Sequence, residues 1–341
     1  MKMKTIINNT NVETLIKGAS IFTTGGGITV SEQLNSLKDL KLNVEIKSLD
    51  EFDVNDFLCT VGELGPTDAP PMDKIKVAKA MLLKLEKIAG KKIAGLYPPE
   101  IGQESVVLES AHILGLPVAD FDPSGFRAVP YFDINIFNIK KIDFGLTPIV
   151  IATDENQILA ITSEYSYKKV EKKLRKMSLL SKSGIIFLIG QTVNVKQLLK
   201  NNINRPSYTK ALSFGEIKRP SVLLRKLNPK MVIKGKVVKK AEFEQKGFLG
   251  EKITIKDTSW NIYTLIILNE ALFLLDSSNK IIGSIPDRIL LIDENNIMGI
   301  SSAFLKKNTI VTIAIIDPEP EWKNKRAEKI LGKARFRKLL L

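Results

Sequence analysis

The strongest constraint on the fold is a change in element pattern near residue 150. Before it, apolar residues follow two periods in turn. Residues 42–48 alternate as Leu-Asn-Val-Glu-Ile-Lys-Ser, and Phe57 to Val61, Lys92 to Tyr97 and Leu116 to Ala119 are short apolar runs, all strand signals. Between them, residues 73–89 place Ile75, Ala78, Met81, Leu82, Leu85 and Ile88 at helical spacing, and Ser105 to Leu114 reads as a helix closed by Gly115. Residues 10–18 and 31–39 also read as helices. Strands alternating with helices predict an α/β layer fold with a largely parallel sheet.

After the change, Pro148 to Thr153 and Gln157 to Ser163 read as paired strands, and Tyr167 to Leu180 as a basic amphipathic helix. Gly184 to Ile189 is apolar, and residues 193–200 form a short helix. From Met231 onward short β-type segments dominate, separated by turns such as Asp276-Ser277-Ser278-Asn279. That spacing predicts a barrel or a sandwich. The expectation is two domains, an α/β one over residues 1–163 and a β-rich one over 164–341.

Charge divides the chain in the same way. Residues 1–160 hold 16 Lys+Arg against 21 Asp+Glu, whereas the remainder holds 35 against 16. A basic half can meet nucleic acid, an anionic surface or an acidic partner. Its lysines, however, mostly alternate with apolar residues and lack interleaved aromatics, the pattern of a solvated face; nucleic acid is not expected. The longest apolar stretches, Gly184 to Gly190 and Tyr263 to Leu275, are too short to span a bilayer, and the second contains Asn269 and Glu270. No secretory signal is read at the start, so a cytoplasmic protein away from membranes is expected.

One cysteine, Cys59, and one histidine, His112, exclude a disulfide framework within the chain and a zinc site of several Cys and His ligands. Cys59 reads as a buried inert thiol and His112 as a partly buried structural residue. Acid–base chemistry then falls to carboxylates, Lys, Tyr or a bound water. The cofactor is unknown, and an oxygen-ligated metal remains open.

Three polar loops stand out. Thr24-Gly25-Gly26-Gly27 is either a tight structural turn or a cradle of backbone N–H groups for an anion. Glu100-Ile101-Gly102 follows the strand ending at Tyr97; its carboxylate can serve as base or acceptor at a sheet edge, or favour a helix N-terminus. Asp120-Phe121-Asp122-Pro123-Ser124-Gly125-Phe126-Arg127 follows the next strand. Its two carboxylates can share a proton or a metal, and Arg127 can neutralise them or grip a substrate carboxylate; the alternative is an Asp-rich turn with a structural ion pair. Strand ends of a parallel sheet share an edge, so these loops are expected to converge on one site, mainly on the N-terminal domain.

The order Gly18-Ala19-Ser20, Thr24-Gly25-Gly26-Gly27, Gly65-Pro66-Thr67, Glu100-Ile101-Gly102 and Gly115-Leu116-Pro117-Val118-Ala119-Asp120-Phe121-Asp122 resembles the S-methylthiohydantoin desulfurase family. The likeness continues through Gly235-Lys236-Val237-Val238, Gly247-Phe248, Ile285-Pro286-Asp287, Pro320-Glu321-Trp322 and Arg335-Phe336. It implies a three-layer α/β/α N-terminal domain and a barrel-like C-terminal one. It also implies hydrolysis of the C–S bond of an S-methylated thiohydantoin. Two segments depart from the family: Gln103-Glu104-Ser105-Val106 replaces a Gly and an Asn-Ser pair, and the run after Asp122 has an extra residue and no final Glu.

The expectation is therefore a hydrolase of a small cyclic amide or thioamide. Asp120 or Asp122 would be the base, with Glu100 holding ring N–H groups or giving a proton. Thr24, Gly25, Gly26, Gly27, Gly102 and Arg127 would bind the substrate. The alternative is a non-catalytic small-molecule-binding or accessory subunit of a hydantoinase-type system. A homo-oligomer or such a partner subunit is possible in either case.

Overall fold

A computed structural model describes residues 4–65, 72–142, 144–203, 205–245 and 248–340. Pro66, Thr67 and Gly247 of the motifs above lie outside them. The chain opens with β1 (Thr5–Asn8), α1 (Val12–Ser20) and α2 (Val30–Leu37). Then come β2 (Asn43–Lys47), β3 (Phe57–Leu64), α3 (Ala78–Ala89), β4 (Ile93–Tyr97), α4 (Glu104–Leu114) and β5 (Val118–Ala119). Gly115 ends α4 in the left-handed conformation, φ 67°, as its sequence position predicts. Helix α5 (Ile136–Lys140) leads into the hairpin β6 (Gly145–Thr153) and β7 (Ile158–Ile161). Next are α6 (Tyr167–Ser178), β8 (Ile186–Asn194), α7 (Val195–Lys200), α8 (Tyr208–Gly215) and α9 (Pro220–Leu227).

The first sheet has the order β1-β2-β5-β4-β3-β8-β6-β7. Its centre, β2-β5-β4-β3, is parallel, whereas β1, β8, β6 and β7 pair antiparallel to their neighbours. The sheet is thus mixed rather than largely parallel. The cause is local: the short turn between β6 and β7 forces an antiparallel pair, and β8 enters between β3 and β6 running against both. Because β8 lies beyond residue 163, this sheet draws on the chain as far as Asn194. Helices cover both faces. Phe187 and Ile189 of β8 join the core built with α1 to α4, while their alternate neighbours Ile186 and Leu188 pack on Val170 and Leu174 of α6.

The second sheet is formed by β9 (Met231–Gln245), β10 (Phe248–Asp257), β11 (Ile262–Leu268), β12 (Glu270–Leu275), β13 (Ile281–Ser284), β14 (Arg288–Asp293), β15 (Met298–Gly299) and β16 (Ile310–Ile316). Helices α10 (Lys325–Leu331) and α11 (Lys333–Phe336) follow. The order is β13-β12-β11-β10-β9-β16-β14-β15, antiparallel throughout. Register shifts at Thr254/Ile255, Ile266/Ile267 and Leu274/Leu275 bend it around an apolar core from β9, β10, β11, β12, β14 and β16. The expected barrel closure is not seen: the strand order is open, ending at four-residue β13 and two-residue β15. No helix among the described residues is long and apolar enough to cross a membrane.

Candidate active site at the seam of the two sheets

The glycine loop follows helix α1. Its backbone is left-handed at Thr24 (φ 54°), Gly25 (φ 96°) and Gly27 (φ 75°). Three hydrogen bonds fix it to other parts of the chain: Ala271 N donates to Thr24 O (2.7 Å), Ser302 N to Gly25 O (2.8 Å) and Ile28 N to Gly102 O (3.0 Å). Close approach explains the glycines. A methyl on Gly26 would lie 1.8 Å from the Asn269 carbonyl oxygen, and one on Gly27 would lie 3.0 Å from Gly102 Cα. The loop therefore touches the second sheet on one side and the Glu100–Gly102 turn on the other.

Glu100 sits beside that contact. Its Oε2 accepts from Val129 N at 2.6 Å, and Asn269 Nδ2 donates to Val129 O at 2.6 Å. Burial pushes the Glu100 carboxyl up to about 8, with the charges of Glu270 and Asp122 adding to the rise. Glu104, at the start of α4, is 1% exposed. Its Oε1 accepts from Gly102 N at 2.9 Å, and burial raises it to about 7. Glu104 Oε2, Glu270 Oε1 and the Tyr208 hydroxyl are all buried without a hydrogen-bond partner among the described residues. Buried polar atoms in native proteins are rarely left so. The Glu104 charge acts on the Tyr208 phenol, as do those of Asp120 and Asp122.

The other expected residues are committed to the scaffold. Asp120 accepts from Tyr208 N (2.6 Å), Thr209 N (3.2 Å) and Thr209 Oγ1 (2.6 Å), so it holds the N-terminus of α8. Asp122 accepts from Ser124 N (3.0 Å) and Phe126 N (3.0 Å), closing its own turn. Arg127 is fully buried. Its Nε and Nη2 bind Glu270 Oε2 at 2.8 and 2.7 Å, and its Nη1 donates to Pro286 O at 2.9 Å. The expectation that Arg127 grips a substrate carboxylate gives way to this ion pair. Burial pushes Glu270 upward against the pull of Arg127. The structure thus gathers Thr24, Gly25, Gly26, Gly27, Glu100 and Gly102 at one seam, with Asp122 near enough to act on Glu100.

Cations and aromatics border the same region. Phe22 and Phe126 pack at 4.3 Å between ring centroids. Lys210 lies 4.4 Å from the Phe126 ring and Arg288 lies 5.5 Å from Phe22, and both meet Glu319. Glu104, Glu270, Tyr208 and Arg288 were not expected from the sequence. One signal was present: Glu270 interrupts the apolar run Tyr263 to Leu275, where an acid inside a strand needs a buried partner. His112 is exposed on α4 rather than partly buried, while its neighbour Ala111 turns into the core. Cys59 is fully buried, and burial raises its thiol, consistent with an inert role. No group of three or more His, Cys, Asp or Glu among the described residues is placed to hold a metal ion.

Comparisons with known proteins agree with this architecture. A solved structure of a protein from Chromobacterium violaceum superposes with a TM-score of 0.75 at 20% identity, covering 98% of this chain and 97% of that one. At that identity the likeness is one of fold. No curated protein matches the chain. The S-Me-THD-like N-terminal domain matches residues 10–163 and the S-Me-THD-like C-terminal domain matches residues 165–338. With both domains present in order over nearly its whole length, the chain belongs to the S-Me-THD-like family.

Proposed function

We propose that the protein hydrolyses a small cyclic amide or thioamide of the hydantoin or S-methylthiohydantoin type, breaking a C–S or C–N bond. The observation carrying this reading is a pair of carboxyls flanking Gly102, raised to about 8 at Glu100 and about 7 at Glu104, on the turn that packs against the Gly25–Gly27 loop. Two acids both raised towards neutrality supply an acid and a base together. Ionised Glu104 takes a proton from water as its oxygen attacks the electrophilic ring carbon. Glu100 gives its proton to the leaving group, either methanethiolate, released as methanethiol, or a ring nitrogen. The ring carbon is left as a carbonyl. Gly27 packs on Gly102 and fixes the turn that carries both acids, and Tyr208 donates to a ring carbonyl. Asp122 acts through its field on Glu100, and Asp120 through the placement of Tyr208.

The test is turnover of an S-methylthiohydantoin and of hydantoin, with methanethiol or ring-opened product as readout. Glu100→Gln should lower kcat at least 100-fold while leaving the fold intact. The commitment of Asp120 and Arg127 to structural bonds favours a second reading, a non-catalytic binding or accessory subunit. Saturable binding of the ring with no product in the wild type selects it.

A further inference from the structure

Three separate segments line an open cavity of about 470 Å³: the loop at Tyr131 to Asp133, helix α6, and the C-terminal residues from Arg335 to Leu339. This volume suits a small-molecule site. Its two acids are already neutralised. Asp133 receives both Nη atoms of Arg335, at 2.9 and 3.0 Å, and Glu171 receives Nε and Nη2 of Arg175, at 3.1 and 2.9 Å. Three lysines lining the cavity, Lys168, Lys172 and Lys338, form no ion pair among the described residues. The spacing on α6 accounts for two of them. Lys169 and Lys173 turn towards Glu164, at 4.0 and 3.3 Å, while Lys168 and Lys172, likewise four apart, share the face that borders the cavity.

The C-terminal wall, which also carries Lys338, is aromatic. The Tyr131 and Phe336 rings stack at 5.8 Å with planes 14° apart, and the Arg335 guanidinium lies 4.7 Å from the Tyr131 ring centroid. Its fork to Asp133 holds that guanidinium in place. The same guanidinium lies 5.5 Å from the Phe336 ring and donates to Ile330 O at 2.6 Å, and a fixed guanidinium beside two aromatic rings is a group on which a further flat ring can stack. Clustered lysines beside it present point charges to a multiply charged anion, the way lysine binds phosphate.

We propose that this cavity binds a phosphate monoester carried on a flat ring, of the nucleoside monophosphate class. The phosphate meets Lys168, Lys172 and Lys338, and the base stacks on the Arg335–Tyr131 layer. The site is independent of the hydrolase reading, since none of these residues belongs to the seam.

The test uses the full chain and calorimetric titration at constant ionic strength with adenosine monophosphate, adenosine and inorganic phosphate. The expected result is saturable binding of the monophosphate, at least tenfold tighter than either adenosine or phosphate. Lys168→Glu/Lys172→Glu, on exposed helix positions that leave folding intact, should weaken it at least tenfold without altering turnover at the seam. Monophosphate binding no tighter than inorganic phosphate reveals a mere cationic patch and overturns the proposal. Unchanged affinity in the double variant overturns it equally.

Discussion

At the scale of single residues, Glu100 and Glu104 dominate because both are acids kept partly neutral by burial. Their ordinary value is 4.5, and in the fold they rise to about 8 and about 7. If Glu104 must be ionised and Glu100 protonated, activity should climb as pH rises through about 7 and fall through about 8. A rate profile flat from pH 6 to 9 would remove both from the mechanism. The same shifts have a consequence for stability. A folded state that holds these protons more tightly than the unfolded chain is stabilised fully below pH ~4.5, and loses that stabilisation as pH rises through 7 to 8. Melting temperature should therefore drop between pH 5 and pH 9, and Glu100→Gln should flatten part of the drop, as calorimetry can show. Glu100 was legible in the sequence because it ends a strand signal. Glu104 was not, because burial of one first-turn acid depends on where α2 and α8 pack, which no local pattern records.

Elements read more clearly than their partners. The helix Ser105 to Leu114, the hairpin around Asp154 and the C-terminal strands follow from apolar period and turn residues. Helices α8 and α9 were missed because their short segments carry only about two turns each, and α8 rests on its packing against α1. Helix α8 also depends on Asp120 for its first turn. Asp120→Ala should cost about 1–2 kcal/mol in denaturant unfolding; it should also reduce turnover by displacing Tyr208, whereas Asp120→Asn should restore part of the binding geometry. The glycine loop shows how much a backbone contact can weigh. Gly26→Ala places a methyl inside the Asn269 carbonyl oxygen, so the loop and β12 must separate. Activity should be lost, and proteolysis of the loop should accelerate. Gly90→Ala, which meets nothing within 4 Å but keeps a left-handed φ of 65°, should cost only about 1 kcal/mol.

Across the whole molecule, the Arg127–Glu270 pair joins segments 143 residues apart and lies wholly out of water. Removing one partner leaves a buried charge alone, so Arg127→Leu should destabilise by about 3–5 kcal/mol, and adding Glu270→Leu should recover much of the loss. Denaturant titration of the two variants decides it. Two sheets were legible from the pattern change near residue 150, but the sharing of strands between the halves was not, because an apolar run such as Ile186 to Ile189 does not name its neighbours. Strand β8 occupies the middle of the first sheet, with β3 on one side and β6 on the other. A gene fusion or swap made between relatives at the 163/165 junction would thus transplant a central stave of the sheet along with the C-terminal half, so sequence change at β3 and β6 is tied to change at residues 186–194, and the two halves must evolve as one piece.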